Sequence, residues 1–351
     1  MTAGISRDVF DTWRAPRFGT ANPTRLDNPL WAALVHERIN AWQVNKRFGY
    51  ERVPGAGPTW CFDRFGQSET PLDDTSTVYI AGEHEDYYDP DFYIYNDVVI
   101  VAADGAVAIY GYPRDVFPPT DFHTATRDGD AIWLVGSLGY AGARKAGTTQ
   151  VCRLDLQTMT IVSKGDAPGW IHRHRAELVE GAIVVRGGLV ERGPDLPHDE
   201  NIDEWALDVA TGVWTRRTAL DWQRWAVRRA DRRRNVVWEL RQLQWEAEHA
   251  DFASSGTMRD MVMRELGHVP DLGPLEALYR CAGAIAIEQD DPDEYNIFRI
   301  ELDGVIVRFT EDSDRIAAMV EGQLSELRLR MLQQHVLQHL AALHGTAWEL
   351  A

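Results

Sequence analysis

Long apolar runs are missing from this chain of 351 residues. The longest unbroken one, Val98–Ala103, is far shorter than the roughly 20 residues that a membrane-spanning helix needs. The N-terminal stretch MTAGISRDVF also lacks the apolar core of a secretion signal. Both absences favour a cytoplasmic protein that does not bind or cross membranes.

Cysteine and catalytic signatures are scarce as well. Cys61, Cys152 and Cys281 lie far apart, without the paired spacing of a disulfide framework or a zinc knuckle. There is no Gly-rich phosphate loop followed by Lys, no GxSxG elbow and no dinucleotide fingerprint. Because Cys61 has no histidine near it in the sequence, it is not expected to be a nucleophile. We expect neither a metal nor a cofactor.

Basic residues are outnumbered, 36 against 54 acidic ones, and the formal net charge is −18. This charge disfavours binding to nucleic acid and attracts a basic partner. One segment is an exception, the basic run of residues 215–235, in which Trp222 and Trp225 lie among eight arginines. Such a mixture can suit nucleic acid. The overall charge favours instead the pairing of the basic run with acidic parts of the same chain.

The middle of the chain repeats itself. The stretch HTATRDGDAIWLVGSLGY, from His123, matches HRAELVEGAIVVRGGLVE, from His174, and aligns Gly136 with Gly187. A looser copy begins at RFGQSET and aligns Gly82 with Gly136. Each unit contains short alternating strand patterns, a buried strand that ends in Gly, and a turn-rich close. A period near 50 residues with four strands predicts a propeller blade.

These units resemble kelch repeats, the blades of galactose-oxidase-like β-propellers, over residues of about 62–217. The resemblance is carried by the openings RFGQSET and DFHTAT, the pair Gly187–Gly188 and the closing Trp214. It implies a mainly β fold, a small or incomplete kelch-like β-propeller with binding loops on one face. Three units are too few for a closed ring, which needs about four blades. Residues 221–245, with strand patterns on both sides of a turn, can begin a fourth blade; alternatively, a second copy pairs with the open edge in a homodimer.

Three domains are expected: an N-terminal helical extension (1–55), the propeller region (56–250) and an acidic α+β domain (251–351). The segment Asn28–Phe48 has an apolar face and a capping Asn, and it predicts one amphipathic helix. In the last domain, alternation around Asp303–Gly304 predicts a hairpin. Apolar spacing predicts a final helix from about residue 324 to Gly345.

The stretch GEHEDYYDPDFYIYNDV contains the candidate binding residues. Clustered carboxylates attract a basic partner, and tyrosines bury a large area at small entropic cost. A plain solvated loop is the competing interpretation. A metal site at residues 84–86 is disfavoured, because consecutive residues of a strand point to opposite faces. The predicted docking residues are Glu83, His84, Glu85, Asp86, Tyr87, Tyr88, Asp89 and Asp91.

Histidines supply the remaining candidates. His123 and His174 occupy the same repeat position, which favours a structural role. His172 adds an imidazole near Arg173 and Arg175, a grouping that an acid–base centre can use. His335 and His339 have the i, i+4 spacing of zinc ligands. They lack the Glu of HExxH, so a solvated helix face is preferred.

The expected function is therefore a non-enzymatic scaffold whose kelch-like loops dock a basic protein partner. A specific version is an inhibitor of the bacterial immunity or antitoxin type, which neutralises a basic toxin. The alternative is a kelch-like enzyme acting on a sugar or small metabolite, with His123, His174 and Arg173 in the propeller mouth.

Overall fold

A computed structural model describes residues 5–50, 57–72, 76–84, 92–191, 198–201, 203–218, 222–249, 256–288 and 296–351. The chain forms two compact units, Met1–Thr218 and Ala219–Ala351. The division therefore falls before the boundary that we expected after residue 250. In the described part of the chain, no helix combines the length and the apolar character that crossing a bilayer requires.

The first unit begins with helices. They are α1 (Arg7–Trp13), α2 (Pro29–Glu37) and α3 (Ala41–Arg47), with the short strand β1 (Thr24–Arg25) between the first two. Asn28 caps α2 as expected, since its side chain accepts hydrogen bonds from the backbone N–H groups of Leu30 and Trp31. The single helix predicted over residues 28–48 is two helices. Arg38 takes the left-handed conformation, with φ 47°, and ends the first one.

Most of the first unit is antiparallel sheet. Its further strands are β2 (Ser68–Pro71), β3 (Ser76–Ile80), β4 (Glu83–His84), β5 (Tyr93–Ile94), β6 (Val98–Ala102), β7 (Val107–Gly111), β8 (Thr124–Asp128), β9 (Ala131–Val135), β10 (Thr148–Asp155), β11 (Ile161–Pro168), β12 (Trp170–His172), β13 (Arg175–Val179), β14 (Ala182–Arg186), β15 (Leu189–Glu191), β16 (Asp199–Glu200), β17 (Trp205–Asp208) and β18 (Trp214–Arg216).

Three larger sheets correspond to the three repeats. The first sheet has the order β1-β7-β6-β3-β2, the second β11-β10-β9-β8 and the third β13-β14-β17-β18. Each contains a four-stranded antiparallel arrangement, while β4-β5 and β12-β15-β16 form two smaller sheets. None of the described sheets closes on itself. The mainly β prediction is confirmed at this level.

Consecutive sheets are joined by equivalent hydrogen bonds. The backbone N–H of Phe122 donates to Gly66 O, and that of Arg173 donates to Phe122 O. The N–H of Gly82 donates to Thr120 O, and the N–H of Ser137 donates to Ile171 O, the equivalent oxygen of the next repeat. Gly82 and Ser137 therefore occupy the same position. The counterpart of Gly136 is thus Ala81 and not Gly82. The sequence alignment of the first copy is thus corrected by one residue.

Apolar side chains fill the spaces between the sheets. Between the second and third sheets, the buried side chains are Trp133, Val135, Val151, Ile171, Ile183, Val185, Val190 and Leu207. A second cluster lies between the first and second sheets and includes Val78, Ile80, Ile132 and Leu134. The helices α1 to α3 cover the first sheet with Phe10, Trp31 and Trp60 among the core residues. Burial of apolar surface contributes about 25 cal/mol of favourable free energy per Å², which stabilises this stacking of sheets.

The second unit packs helices against one sheet. Its elements are β19 (Arg224–Arg229), α4 (Val237–Glu248), α5 (Thr257–Leu266), α6 (Gly273–Ala277), β20 (Ile285–Ile287), β21 (Ile297–Leu302), β22 (Val305–Glu311), β23 (Ile316–Val320), α7 (Glu326–His344) and β24 (Trp348–Leu350). The strand order is β20-β21-β22-β23-β19-β24. The hairpin at Asp303–Gly304 is confirmed, and so is the final helix, which ends at Gly345 with φ 63°.

The hairpin that was expected over residues 221–245, and could begin a fourth blade, is not formed. The strand β19 pairs with β23 and β24 inside the second unit. The segment after the turn is the helix α4, and the N–H of its first residue, Val237, donates to the side chain of Asn235. The valine and tryptophan at the start of α4 favour a strand, but packing against the sheet of this unit stabilises a helix instead.

The glycine at the end of β9 gives a test of the contact between sheets. A Cβ on Gly136 would lie 2.4 Å from Ile171 O of the next sheet, whereas one on Gly187, the same repeat position, meets no described atom within 4 Å. Both have positive φ, 82° and 67°. We expect Gly187→Ala to cost about 1–2 kcal/mol of unfolding free energy. Gly136→Ala should cost several kcal/mol more, as urea titration measures; equal costs would contradict the sheet contact.

Candidate functional site

Of the eight predicted docking residues, two lie in the described part of the chain. Glu83 and His84 form β4, which pairs with β5 and places them on opposite faces. His84 is fully buried, and Glu83 is half-buried. The other six, Glu85, Asp86, Tyr87, Tyr88, Asp89 and Asp91, lie outside the described residues.

Glu83 meets a second carboxyl group, that of Asp121. Asp121 lies in the connection between β7 and β8 and is fully buried. Its Oδ1 accepts hydrogen bonds from the N–H of Gly139, at 2.6 Å, and from the Ser137 hydroxyl, at 3.2 Å. Its Oδ2 has no donor among the described residues. A hydrogen bond between the two carboxyl groups therefore needs a proton that they share.

Burial sets the protonation of this acid pair, Glu83 and Asp121. Desolvation raises the pKa of Asp121, while the hydrogen bonds from Gly139, Glu83 and Ser137 and the charge of Arg144 oppose the rise. Two carboxylates at hydrogen-bond distance repel each other if both are ionised. Because desolvation raises the pKa of Asp121, this carboxyl group keeps its proton to a higher pH than an exposed aspartate does, which suits it to donate or accept a proton.

Arg144 connects the acid pair to two histidines. Its guanidinium donates to the carbonyl oxygens of Leu138 and Gly139, next to the turn that Asp121 holds. It also donates to His198 Nε2, at 3.2 Å. Glu191, buried at the end of β15, lies 3.5 Å from the guanidinium and compensates its charge. Arg144 thus organises the loop ends after β9 and β15.

The hydrogen bonds determine the tautomers of the two histidines. Because Arg144 can only donate, His198 Nε2 must accept, so the proton of His198 is on Nδ1. That proton is donated to His172 Nε2, at 2.9 Å. The proton of His172 then lies on its own Nδ1, which is buried without a hydrogen-bond partner in the described residues.

Both imidazoles are neutral at neutral pH. Desolvation, together with the neighbouring His198, Arg173, Arg144 and His174, lowers the pKa of His172 to about 2. Desolvation and Arg144 also lower the pKa of His198. A base this weak does not take a proton from a substrate near pH 7, so His172 positions its neighbour, and the acid pair is the group suited to proton transfer.

An exposed aromatic ring adjoins the acid pair. The hydrogen bonds between sheets join Gly66, Phe122 and Arg173, which have positive φ at the start of their sheets. The residues directly before them, Phe65, Asp121 and His172, therefore occupy equivalent positions. Phe65 forms an isolated bridge with Glu83, and 57% of its surface is exposed. The three repeats thus bring an aromatic face, an acid pair and a histidine pair to corresponding positions.

The enzyme candidates His123, His174 and Arg173 have other contacts. His123 Nε2 lies 2.9 Å from Ser68 Oγ of the preceding sheet, and His174 Nε2 lies 2.9 Å from Thr124 Oγ1. Both imidazoles are buried, and desolvation lowers their pKa values to about 4 and about 3. Arg173 stacks on Phe122, 3.8 Å from the ring centroid. These groups link neighbouring sheets, and the repeat position explains why the same residue type recurs.

A second buried group was missed by the sequence analysis. Cys61 Sγ lies 3.1 Å from His84 Nδ1, and His84 Nδ1 lies 3.0 Å from the Tyr95 hydroxyl. The contact was not predicted because Cys61 and His84 are far apart in the sequence. The strand β4 brings His84 back to Cys61. The three side chains are almost fully buried.

Next to this group, Arg64 is held by Asp97 through two hydrogen bonds, at 2.6 and 3.0 Å. Its guanidinium also stacks on Tyr95. No sequence pattern links Arg64 to Asp97, so the ion pair between them could not be predicted from the sequence.

The basic run is largely paired within the chain. Arg229 contacts Asp231 and Glu265, and Arg233 contacts Glu265. Arg228 and Arg232 both contact Glu349. The predicted pairing with acidic residues of the C-terminal region is confirmed for these side chains.

The histidines of α7 have hydrogen bonds of their own. His335 Nε2 contacts Ala277 O, at 2.8 Å, and His339 Nδ1 contacts the backbone oxygen of His335. Within the described ranges, no group of three or more His, Cys, Asp or Glu side chains is arranged to hold a metal ion.

The chain was compared with known proteins. No protein-family model matches it, and no curated protein gives a significant match. The arguments about its function therefore depend on its own residues.

The acid pair predicts an unusual pH dependence. The folded pKa of Asp121 is raised, so the folded state keeps a proton that the unfolded state has lost, and stability falls as pH rises through the raised pKa. Asp121→Asn supplies an amide hydrogen to Glu83 without titrating. We expect wild type to lose unfolding free energy relative to Asp121→Asn as pH rises above about 4, the ordinary carboxyl pKa, in urea titrations. A constant difference would show that no proton is shared.

The lowered pKa of His174 predicts the opposite pH dependence, in which stability falls as pH falls. Its pKa is about 3 in the folded protein against an ordinary value of 6.5, so the unfolded state binds the proton first as pH falls. Its contribution should decline by about 2 kcal/mol from pH 7 to pH 5. His174→Gln should remove this part of the pH dependence, while His249→Gln, at an exposed position, should leave it. If both variants retain the wild-type slope, His174 is not neutral in the folded state.

Proposed function

We propose that the first unit is an incomplete kelch-like propeller that carries out proton transfer on a polar small molecule of the sugar or hydroxy-acid type. The acid pair of Glu83 and Asp121 carries this proposal. A carboxyl group whose pKa is raised by burial, beside a second carboxyl group, can act as a general acid and as a general base in one place.

The surroundings of the acid pair support a small polar ligand. Phe65 offers an exposed ring that can cover the apolar face of a sugar, and Glu83 offers hydrogen-bonding oxygen atoms. Arg144 and His198 hold the neighbouring loop ends and keep Asp121 in place. Rigid positioning of this kind is what proton transfer requires.

The contact between the carboxyl groups limits the reaction type. Glycosidases of the two common kinds separate their carboxyl groups by about 5–5.5 Å or about 6.5–9.5 Å. Two groups that hydrogen-bond to each other are closer than either arrangement allows. Isomerisation or elimination, in which one proton moves at a carbon next to a hydroxyl or carbonyl group, suits the pair better than hydrolysis of a glycosidic bond.

The propeller assignment is part of the same proposal. Three successive antiparallel sheets of four or five strands, with equivalent hydrogen bonds from each to the next, support a blade-like series. The kelch-like openings RFGQSET and DFHTAT contain Gly66 and Phe122, which form one of these hydrogen bonds. A ring would require at least one more sheet than the described residues of this unit provide.

Docking of a basic protein is the second candidate, and the internal pairing of the basic run favours it. Since those arginines are engaged with carboxylates of the same chain, the acidic excess of the chain is left to attract a cationic partner. An inhibitor of the immunity type belongs to this candidate. A pull-down from native lysate, with wild type beside the triple variant E85K/D86K/D89K, tests it by the loss of one stoichiometric protein.

Proton NMR of a metabolite panel tests the first candidate. Neutral sugars, sugar acids and hydroxy acids are incubated in deuterated buffer with the protein, and exchange or conversion of carbon-bound protons is followed. We expect at least one compound to react. Glu83→Gln and Asp121→Asn should slow it by about 10²-fold or more, the usual contribution of general acid–base catalysis.

Glu177→Gln is the matched control, because Glu177 is an exposed carboxylate of the same unit that pairs with Arg186. It should react like wild type. A compound that reacts equally fast with Glu83→Gln would contradict the role of the acid pair. A panel in which nothing reacts and nothing raises the melting temperature would leave docking as the better proposal.

A further inference from the structure

The second unit has a cleft that the proposed function does not use. Its volume is about 400 Å³, and it lies between the start of α4 and the ends of β21 and β22. The lining residues are Arg234, Asn235, Trp238, Glu239, Asn296, Glu311, Asp312 and Ser313. One aromatic ring, several carboxylates and neutral hydrogen-bonding groups thus converge on a space of small-molecule size.

Two of the three carboxylates in the cleft have cations that belong to the fold. Glu311 is bound by Arg241 through both oxygen atoms and accepts a hydrogen bond from the Tyr279 hydroxyl, at 2.7 Å. Asp312 lies 3.9 Å from Arg315. The third carboxylate, Glu239, is therefore the one to consider for a ligand.

Glu239 is almost fully buried, with 2% of its side chain exposed. Its one partner in the described residues is the guanidinium of Arg234, and half of the Arg234 side chain is exposed. A buried carboxylate needs a cation, because an uncompensated buried charge is costly. The Arg234 side chain, in contrast, is half exposed and borders solvent, so a second guanidinium can reach its position from outside.

We propose that the cleft binds the guanidinium group of an arginine side chain from a peptide or protein, which replaces Arg234 on Glu239. Arg234 shows that the carboxylate accepts this chemical group. The incoming arginine gains a contact that Arg234 does not make, since the exposed indole of Trp238 lines the same cleft and can stack on a guanidinium. Asn296, which lines the same cleft, carries a side-chain amide that can hydrogen-bond a peptide backbone. The inference is independent of the acid pair in the first unit.

Calorimetric titration of the full chain with arginine amide tests the site. Citrulline amide, which has the same shape without the charge, is the control ligand. We expect arginine amide to bind and citrulline amide not to bind. Glu239→Gln should weaken binding at least tenfold, and Trp238→Ala should weaken it several-fold. Arg234→Gln should strengthen binding several-fold, because it removes the internal competitor.

Glu276→Gln is the control variant, since 76% of the Glu276 side chain is exposed and it lies outside the cleft. Its affinity should equal that of wild type. If Glu239→Gln does not fold, the opposite effects of Trp238→Ala and Arg234→Gln on affinity still decide the question. Equal binding of both ligands, no binding of arginine amide, or an affinity that Arg234→Gln leaves unchanged would overturn the proposal.

Discussion

Close approach of neighbouring sheets is the constraint on which the first unit depends. At the end of β9 the backbone of the next sheet comes so near that a side chain at Gly136 has no space. The N–H of Ser137 can then donate to Ile171 O, and the imidazole of His174 reaches Thr124. The repeated glycine and histidine are consequences of this contact, since each repeat must present the same surfaces to the next.

The equivalent contact between the first and second sheets creates the acid pair. It brings the connection before β8 against the loop after β3, and so places Asp121 beside Glu83, although the two are distant in sequence. Elsewhere buried carboxylates have guanidinium partners, as Asp97 has Arg64 and Glu311 has Arg241. Arg144, whose charge acts on Asp121, is engaged with carbonyl oxygens and His198. Burial raises the pKa of Asp121, and a second carboxyl group beside it makes the acid pair chemically distinctive.

Local signals predicted the elements that are stabilised locally. Asn28 marked the start of α2, Asp303–Gly304 marked the turn of the last hairpin, and Gly345 marked the end of α7. Signals that compete with packing gave wrong predictions. The apolar pattern of residues 28–48 continues past Arg38, where the chain turns. The start of α4 has a strand-like sequence, but packing against the sheet that it covers stabilises a helix.

The sequence by itself determined the repeat, the mainly β character and the acidic balance, because periodicity and composition are properties of neighbouring residues and their sums. Only the tertiary structure decided which distant groups meet: Cys61 with His84, Asp121 with Glu83, and Glu311 with Arg241. Such pairs join residues that different strands and loops bring together. Their protonation depends on burial, which no local pattern of residues records.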